Sequence, residues 1–287
     1  MSGRILDGRE LASHLRRELR HRLEALGVTA DDEGEDSTNA VRLAIVTDGR
    51  SEAARLYAAS LERAARSIGA AAEILTDTDS PGDEIARLNA DPQVSGIVVA
   101  QPFADPGVGR RLVEHIDPDK DVDGATPTSA GRLARGEPAM VPATALAVVA
   151  MLDAYGIAIA GKRAVVVGRS AVVGRPVASL LLARDATVVI CHRTTHNLAR
   201  ETRRAELLVV AAGAPGVIRS EMVNRSAVIV DCGINATDDG RIVGDVAFET
   251  VAPVVRAITP VPGGIGPVTP MMVLRQMVEA AERVAAV

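Results

Sequence analysis

The sequence predicts an α/β fold in two domains. Short apolar segments alternate with amphipathic helical segments along most of the 287 residues, a pattern typical of mostly parallel sheets. A chain of this length is sufficient for two well-buried cores. The β-branched segment 163–167 (RAVVV) and the glycine turn after it mark the first strand of the second domain.

The first half contains a clear helix–strand alternation. Residues 8–26 are predicted to form an amphipathic helix, because leucines recur there at four-residue spacing. Residues 42–47, 71–75 and 96–100 are predicted strands, and residues 52–68 and 81–90 are predicted helices, the first of them ended by Gly69. Residues 29–39 (TADDEGEDSTN) are acidic and non-periodic, so we expect a mobile surface loop there.

The second half repeats the alternation as a Rossmann-like series. A helix at 144–155 leads into it, and the strand 163–167, the turn 168–174 and a helix at 176–183 follow. Further strands are predicted at 186–191, 207–210 and 227–231, and a closing helix at 271–286. The segment 260–267 (PVPGGIGP) is expected to be neither helix nor central strand.

Composition excludes several classes of function. The formal net charge of -5 gives no electrostatic surface for nucleic acid. No apolar segment is long enough to span a bilayer, and the N-terminus lacks a signal-peptide core, so a cytoplasmic protein without a membrane partner is expected. Cys191 and Cys232 form neither a disulfide framework nor a zinc site, and no metal is expected. With no Trp, two Tyr and two Phe, the core must consist of Ala, Val, Leu and Ile.

The glycine turn after the strand 163–167 predicts a dinucleotide site. Its sequence is GRSAVVGRP, and a turn between a buried strand and a helix presents backbone N–H groups to a pyrophosphate. Arg169 and Arg193 can hold a 2′-phosphate, and no acidic residue ends the second strand to bind a free ribose hydroxyl, which favours NADP over NAD. The alternatives are a tight turn without a ligand and, for Arg193, a solvated loop charge.

Three segments resemble one family in their order and spacing: 117–124 (DPDKDVDG), 168–176 (GRSAVVGRP) and 259–267 (TPVPGGIGP). The chain resembles the bifunctional methylenetetrahydrofolate dehydrogenase/cyclohydrolases. This resemblance implies two α/β domains flanking a cleft, NADP as cofactor, a tetrahydrofolate derivative as substrate, and a homodimer. Residues 1–145, completed by the closing helix 268–287, would form the folate-binding domain, and residues 146–267 the Rossmann-like NADP-binding domain.

The resemblance also implies roles for individual residues. Asp123 matches the pterin-binding aspartate, and a carboxylate can accept two N–H groups from a pterin edge. Tyr57 matches the tyrosine that stacks on the substrate rings, the alternative being half-buried packing. The alternatives for the segment 117–124 are a simple pairing of Lys120 with Asp121 and an acidic loop without a ligand. The loop lining the folate–nicotinamide junction is Pro262, Gly263 and Gly264. The cofactor contacts are Gly168, Arg169, Ser170, Gly174, Arg193 and Ile234.

The sequence departs from the family pattern on the folate side. The family's Y-x-x-x-K is here Tyr57 followed by Leu61, and its strand-end glutamine is Ala100. Gln101 is expected on the opposite face of the strand, because successive strand side chains alternate. In addition, Ser129 replaces an asparagine, and residues 142–145 (PATA) replace PCTP.

These departures leave three functional hypotheses. The first is an NADP-dependent methylenetetrahydrofolate dehydrogenase whose cyclohydrolase activity is lost or impaired, because leucine can neither donate nor accept a proton. The second is a repurposed enzyme that transfers the methylene group to another acceptor in specialised biosynthesis. The third is a catalytically silent folate- or NADP-binding protein.

Overall fold

The computed structural model describes residues 3–28, 41–76, 81–237 and 239–286. The predicted acidic loop 29–39 lies outside these ranges. The strands are β1 (Arg4–Ile5), β2 (Arg42–Val46), β3 (Ala71–Leu75), β4 (Val94–Val99), β5 (Arg163–Val167), β6 (Thr187–Cys191), β7 (Leu207–Val210), β8 (Val228–Asp231), β9 (Asn235–Ala236), β10 (Ile242–Val243) and β11 (Ala257–Ile258). The helices are α1 (Gly8–Ala25), α2 (Glu52–Ile68), α3 (Pro81–Ala90), α4 (Pro106–Glu114), α5 (Pro127–Arg135), α6 (Ala143–Ala154), α7 (Gly174–Leu182), α8 (Leu198–Thr202), α9 (Phe248–Val251) and α10 (Ile265–Ala285).

The chain forms two compact units, in agreement with the two domains predicted from the sequence. One comprises Met1–Ala12 and Thr144–Thr269, and the other Ser13–Ala143 and Pro270–Val287. The predicted first domain includes the first twelve residues. In the structure β1 instead pairs in parallel with β11, so this segment belongs to the same unit as the glycine turn.

The unit with the glycine turn contains a six-stranded parallel sheet in the order β1-β11-β8-β7-β5-β6. The order reverses at β5, because β6 lies on one side of it and β7 on the other. In doubly wound sheets, ligands bind beyond the carboxyl ends of the strands at such a reversal. The turn that begins at Gly168 follows β5, so the topology places it at this position.

The other unit contains a three-stranded parallel sheet in the order β3-β2-β4. Here too the order reverses, between β2 and β4. Ala100 directly follows β4, and its N–H donates to the carbonyl of Val46 at the end of β2, 2.9 Å away. Position 100 therefore lies at the carboxyl edge of the sheet, beside the reversal.

Both cores are predominantly aliphatic, which confirms the prediction from composition. Branched side chains of β5, β7 and β8 form the interior of one unit, and those of β2 and β4 the interior of the other. Phe103 and several methionines complete the buried set. None of the described helices combines the length and the apolar composition needed to span a bilayer.

The prediction that residues 260–267 cannot be helical is wrong for the last three of them. α10 begins at Ile265 and includes Pro267 and Pro270. Pro267 lies in the first helical turn, where the backbone N–H has no intrahelical acceptor. Pro270 lies inside the helix. Four further helices, α4, α5, α8 and α9, were not predicted, although α4 and α5 each start with a proline behind a capping residue, Asp105 or Thr126.

Candidate active site

Tyr57 and Asp123 are brought together in the unit formed by residues 13–143 and 270–287. Ser51 caps the N-terminus of α2, accepting the N–H of Ala54 at 3.4 Å. Tyr57 lies in the second turn of α2, and its Oη donates to Oδ1 of Asp123 at 3.2 Å. The two groups are separated by 66 residues in sequence. The structure thus joins the two residues that the sequence singled out for substrate contacts.

The carboxyl of Asp123 titrates far above its ordinary range. Burial and, to a smaller extent, the negative charge of Asp121 raise its pKa to about 7. The hydrogen bonds from Tyr57 and from the backbone N–H of Ala143 act in the opposite direction, because they stabilise the carboxylate. Burial and the nearby Asp123 also raise the pKa of Tyr57, which therefore remains a protonated donor. Asp123 consequently changes its charge near neutral pH.

Lys120 and Asp121 do not pair with each other, which excludes one of the alternatives for this segment. Nζ of Lys120 donates to three carbonyls at the end of α3 and just beyond it, those of Leu88, Asn89 and Asp91 at 3.1, 2.8 and 2.7 Å. Helix carbonyls near a C-terminus lack intrahelical partners and attract a cation.

Asp121 organises the segment that follows Asp123. Its buried carboxylate accepts the N–H groups of Ala125 and Thr126, both at 2.9 Å, and the hydroxyl of Ser129 at 2.6 Å. Ser129, one of the departures from the family pattern, is therefore a partner of Asp121. The contacts secure the start of α5 immediately after the loop that bears Asp123.

Leu61 and Ala100 are both fully buried. Leu61 belongs to the buried stripe of α2 that also includes Ala54, Ala58, Ala65 and Ile68. Gln101, one residue beyond Ala100, is exposed, in agreement with the expected alternation of faces. The two positions at which the family resemblance implies polar side chains are thus occupied by buried apolar groups.

In the predicted dinucleotide turn, two glycines lie in close contact with neighbouring backbone segments. Gly168 adopts φ of +127°, and a Cβ there would lie 2.1 Å from the carbonyl oxygen of Ala211. A Cβ on Gly174 would lie 2.2 Å from the carbonyl oxygen of Gly168. Oγ of Ser170 accepts the N–H groups of Val173 and Gly174 at 3.2 and 3.4 Å. Only glycine fits at residues 168 and 174, and their packing shapes the turn ahead of α7.

The side chains expected to contact a cofactor project outward from this framework. Arg169, Ser170 and Arg193 are exposed, and Ile234 is 72% exposed. These four residues follow β5, β6 and β8, at the carboxyl edge of the sheet.

Two positions of the loop preceding α10, 263 and 264, are also restricted to glycine. Gly263 adopts φ of +111°, and its carbonyl accepts the N–H of Gly8 at 2.8 Å. A Cβ on Gly264 would lie 2.6 Å from the carbonyl oxygen of Pro260. Pro262 is exposed.

Two buried aspartates that the sequence analysis missed hold the loops after β7 and β8. Asp245 accepts the N–H groups of Ala212, Gly213 and Ala214, between 2.6 and 2.9 Å, and the side-chain amide of Asn235 at 2.9 Å. Asp231 accepts three further backbone N–H groups, those of Gly233, Asp245 and Val246. Burial raises the pKa of Asp231 to about 6 against the opposing effect of these donors. An aspartate ending a fully apolar strand is the signal that could have indicated Asp231.

Within the described ranges there is no group of three or more His, Cys, Asp or Glu side chains that could hold a metal ion. The candidate groups are instead carboxylates, a tyrosine hydroxyl and backbone N–H groups. Carboxylates can accept the N–H donors of an organic ligand, and backbone N–H groups can donate to its acceptors.

Two family models match the chain. Residues 6–123 match the catalytic domain of tetrahydrofolate dehydrogenase/cyclohydrolase, and residues 142–285 match the NAD(P)-binding domain of the same enzymes. The bifunctional protein FolD 1 of Saccharopolyspora erythraea is 45% identical over 288 aligned positions, covering 98% of this chain and 94% of the relative.

Solved structures agree with these matches. The bifunctional FolD enzyme of Campylobacter jejuni has a TM-score of 0.90 at 36% identity, covering 98% of this chain and 99% of that one. The methylenetetrahydrofolate dehydrogenase-cyclohydrolase of Trypanosoma brucei, solved with NADP and an inhibitor, has a TM-score of 0.90 at 31% identity and covers all of both chains. With its two halves matching the two domain models in order, the chain belongs to the tetrahydrofolate dehydrogenase/cyclohydrolase family.

Proposed function

We propose that this protein is an NADP-dependent 5,10-methylenetetrahydrofolate dehydrogenase whose cyclohydrolase activity is absent or strongly impaired. The observation that carries the proposal is a contrast within one unit. Tyr57 and Asp123 are paired by a hydrogen bond, whereas Leu61 and Ala100, at the positions of the family's lysine and glutamine, are apolar and fully buried. The groups for binding a folate are retained, and those for moving a proton at its one-carbon bridge are missing.

Folate binding is assigned to residues 13–145 together with the closing helix 268–287, since the first twelve residues belong to the other unit. The carboxylate of Asp123 accepts two N–H donors from the pyrimidine edge of the pterin. Tyr57 stacks on the substrate rings and, through its hydroxyl, holds the carboxylate in place. Pro262, Gly263 and Gly264 are assigned to the junction between folate and nicotinamide, and of the three Pro262 is exposed.

NADP binding is assigned to residues 146–267. The backbone of the turn from Gly168 to Gly174 faces the pyrophosphate, and the N-terminal end of α7 provides a favourable potential for it. Arg169 and Arg193 neutralise the 2′-phosphate, and Ser170 and Ile234 complete the cofactor contacts. When bound, NADP accepts the hydride from the methylene carbon, and the protein mainly orients the two rings. By family resemblance we also propose a homodimer, which sedimentation analysis can check.

Hydride transfer and hydrolysis place different demands on the site. Dehydrogenation relies on the cofactor and on ring orientation, so it tolerates the loss of a lysine. Hydrolysis of the methenyl bridge requires addition of water and proton movement at a folate nitrogen, which a positioned acid–base group accelerates by about 10²- to 10⁴-fold. Neither Leu61 nor Ala100 can do this.

The decisive experiment follows absorbance during turnover of methylenetetrahydrofolate with NADP. We expect NADP-dependent formation of methenyltetrahydrofolate, whose subsequent decay proceeds at the uncatalysed rate. Rapid enzyme-dependent decay would contradict the loss of cyclohydrolase. Binding of both ligands without hydride transfer would contradict the dehydrogenase assignment and favour the silent binding protein. Consumption of the methylene group only when another acceptor is added would favour the transferase.

Cofactor preference gives a separate prediction. Replacing Arg169 and Arg193 with alanine is expected to weaken NADP binding by about 10- to 100-fold and NAD binding by less than about threefold, because only NADP carries the 2′-phosphate. The measurement is the Kd of each cofactor by calorimetry. Arg184→Ala is the matched control, since Arg184 lies beyond the opposite end of α7 in an ion pair with Asp153. Equal losses for both cofactors would contradict the assignment of these arginines.

A further inference from the structure

Gln276 is a polar residue in the apolar part of α10. Its exposed fraction is 4%, and its neighbours Leu274, Met277 and Val278 are also buried. Placing an amide among such side chains costs free energy unless its polar atoms find partners. A glutamine at this position is therefore expected to have hydrogen-bonding partners.

The amide of Gln276 joins two backbone segments that are distant in sequence. Its Oε1 accepts the N–H of Val141 at 2.8 Å, and its Nε2 donates to the carbonyls of Val141 and Val122 at 2.9 and 2.7 Å. These bonds satisfy both N–H donors and one of the two acceptor sites of the amide. An aliphatic residue of the same size could fill the space but could not bridge the segments.

Both segments hold Asp123. Val122 precedes Asp123 directly, and the N–H of Ala143, two residues after Val141, donates to the Asp123 carboxylate. Gly124 adopts φ of +61° and packs so closely on the other segment that a Cβ would lie 2.3 Å from the carbonyl carbon of Val141. The separation between the two backbones determines whether the Ala143 N–H reaches the carboxylate.

We propose that Gln276 is a positioning residue that sets the direction of the Asp123 carboxylate by holding the segments around Val122 and Val141 together. Gln276 acts through Asp123 and need not touch the substrate. The inference rests on the proposed function insofar as Asp123 binds the pterin. A carboxylate that accepts two donors from one planar edge must have a well-defined orientation. That orientation depends on the residues that hold the carboxylate on the side away from the ligand.

The test uses Gln276→Met, which keeps the approximate volume and removes all three hydrogen bonds. We expect the Kd for methylenetetrahydrofolate to rise about 10-fold or more relative to the wild type, while the Kd for NADP remains within about twofold of the wild-type value. Gln276→Glu serves as a second variant in case the first folds poorly. It keeps the acceptor for the Val141 N–H and replaces the donor, and the same selective loss of folate affinity is expected.

A general loss of stability is separated from positioning by Val278→Ala, a buried cavity-forming change on the same helix. Its thermal midpoint is compared with that of Gln276→Met. If the Val278→Ala variant loses folate affinity to the same extent at a similar loss of stability, the positioning role is overturned.

A ligand-free readout distinguishes this inference from the proposed function. Carbon-13 NMR of labelled aspartates, with Asp123 identified by its absence in Asp123→Asn, follows its titration directly. Loss of the Ala143 hydrogen bond in Gln276→Met is expected to raise the pKa of Asp123, since burial and Asp121 then act with less opposition. An unchanged titration midpoint overturns the positioning role even if the wild type binds folate. A raised midpoint supports the role even if the wild type does not bind folate.

Discussion

Asp123→Asn is expected to weaken the binding of methylenetetrahydrofolate by about 100-fold or more and to leave NADP binding within about twofold. Hydrogen bonds to a charged acceptor contribute about 1.5–3 kcal/mol each, and an asparagine offers one neutral acceptor in place of a carboxylate that accepts two donors. Calorimetric titration of the wild type and the variant with each ligand measures both effects. Normal folate affinity in the variant would remove the pterin site from this loop.

The same substitution is expected to abolish a pH dependence of folate binding. Burial raises the pKa of Asp123 to about 7, and in the proposed site the carboxylate is the acceptor for the pterin donors. As the pH falls below 7, the fraction of carboxylate decreases, so folate affinity in the wild type should fall by up to tenfold per pH unit. Asp123→Asn carries no titrating group at this position, and its weak affinity should change little between pH 6 and 8.

Stability serves as the control for this experiment. Because the pKa of Asp123 in the folded protein lies above its ordinary value of 3.8, the folded state holds this proton more tightly than the unfolded state. The resulting stabilisation is present at low pH and is lost as the pH rises through 7. The neutral asparagine of the variant avoids the cost of a buried charge, so the variant should be at least as stable as the wild type at pH 8. Unfolding of the variant at that pH would contradict this account of the site.

The second large effect is a gain of activity. Leu61→Lys combined with Ala100→Gln is expected to increase enzyme-dependent hydrolysis of methenyltetrahydrofolate at least about tenfold over the wild type. This is less than the full rate acceleration of about 10²- to 10⁴-fold that a positioned acid–base group provides. Burial at position 61 lowers the pKa of a lysine, which suits proton transfer near neutral pH. Recovery should be partial, because Ser129 and residues 142–145 also differ from the family pattern and catalytic geometry tolerates little displacement.

The control for the double variant is Leu61→Met combined with Ala100→Gln, which keeps position 61 apolar. It should hydrolyse no faster than the wild type. Leu61→Lys alone should recover less than the double variant, since the lysine then lacks a hydrogen-bonding neighbour. The double variant should also unfold at a lower temperature, because it places an ammonium group on the buried face of α2. Equal hydrolysis by the methionine control would show that the lysine is not responsible.

Local sequence determined the α/β class and the strand–turn–helix of the second half. The bounds of α2, α3, β3, β5 and β7 agree with those predicted, because periodicity, glycine termination and β-branched segments act within a few residues of the chain. The glycine turn at 168–174 was predictable for the same reason, since close backbone approach requires a missing Cβ. The resemblance to the family, and not local chemistry, pointed to Tyr57 and Asp123 and to the apolar replacements at 61 and 100.

Only the tertiary structure decided how these residues meet. The hydrogen bond between Tyr57 and Asp123 and the bridge from Gln276 to Val122 join residues 66 and 154 positions apart. The pairing of β1 with β11 and the anchoring of the loop after β7 by Asp245 are also contacts between distant segments. A buried polar side chain is stabilised by the donors and acceptors that the fold brings to it. The residue type shows that a hydrogen-bonding partner is needed, but it does not show which residue provides it. The elements therefore followed from local chemistry, whereas the orientation of the Asp123 carboxylate followed from the path of the whole chain.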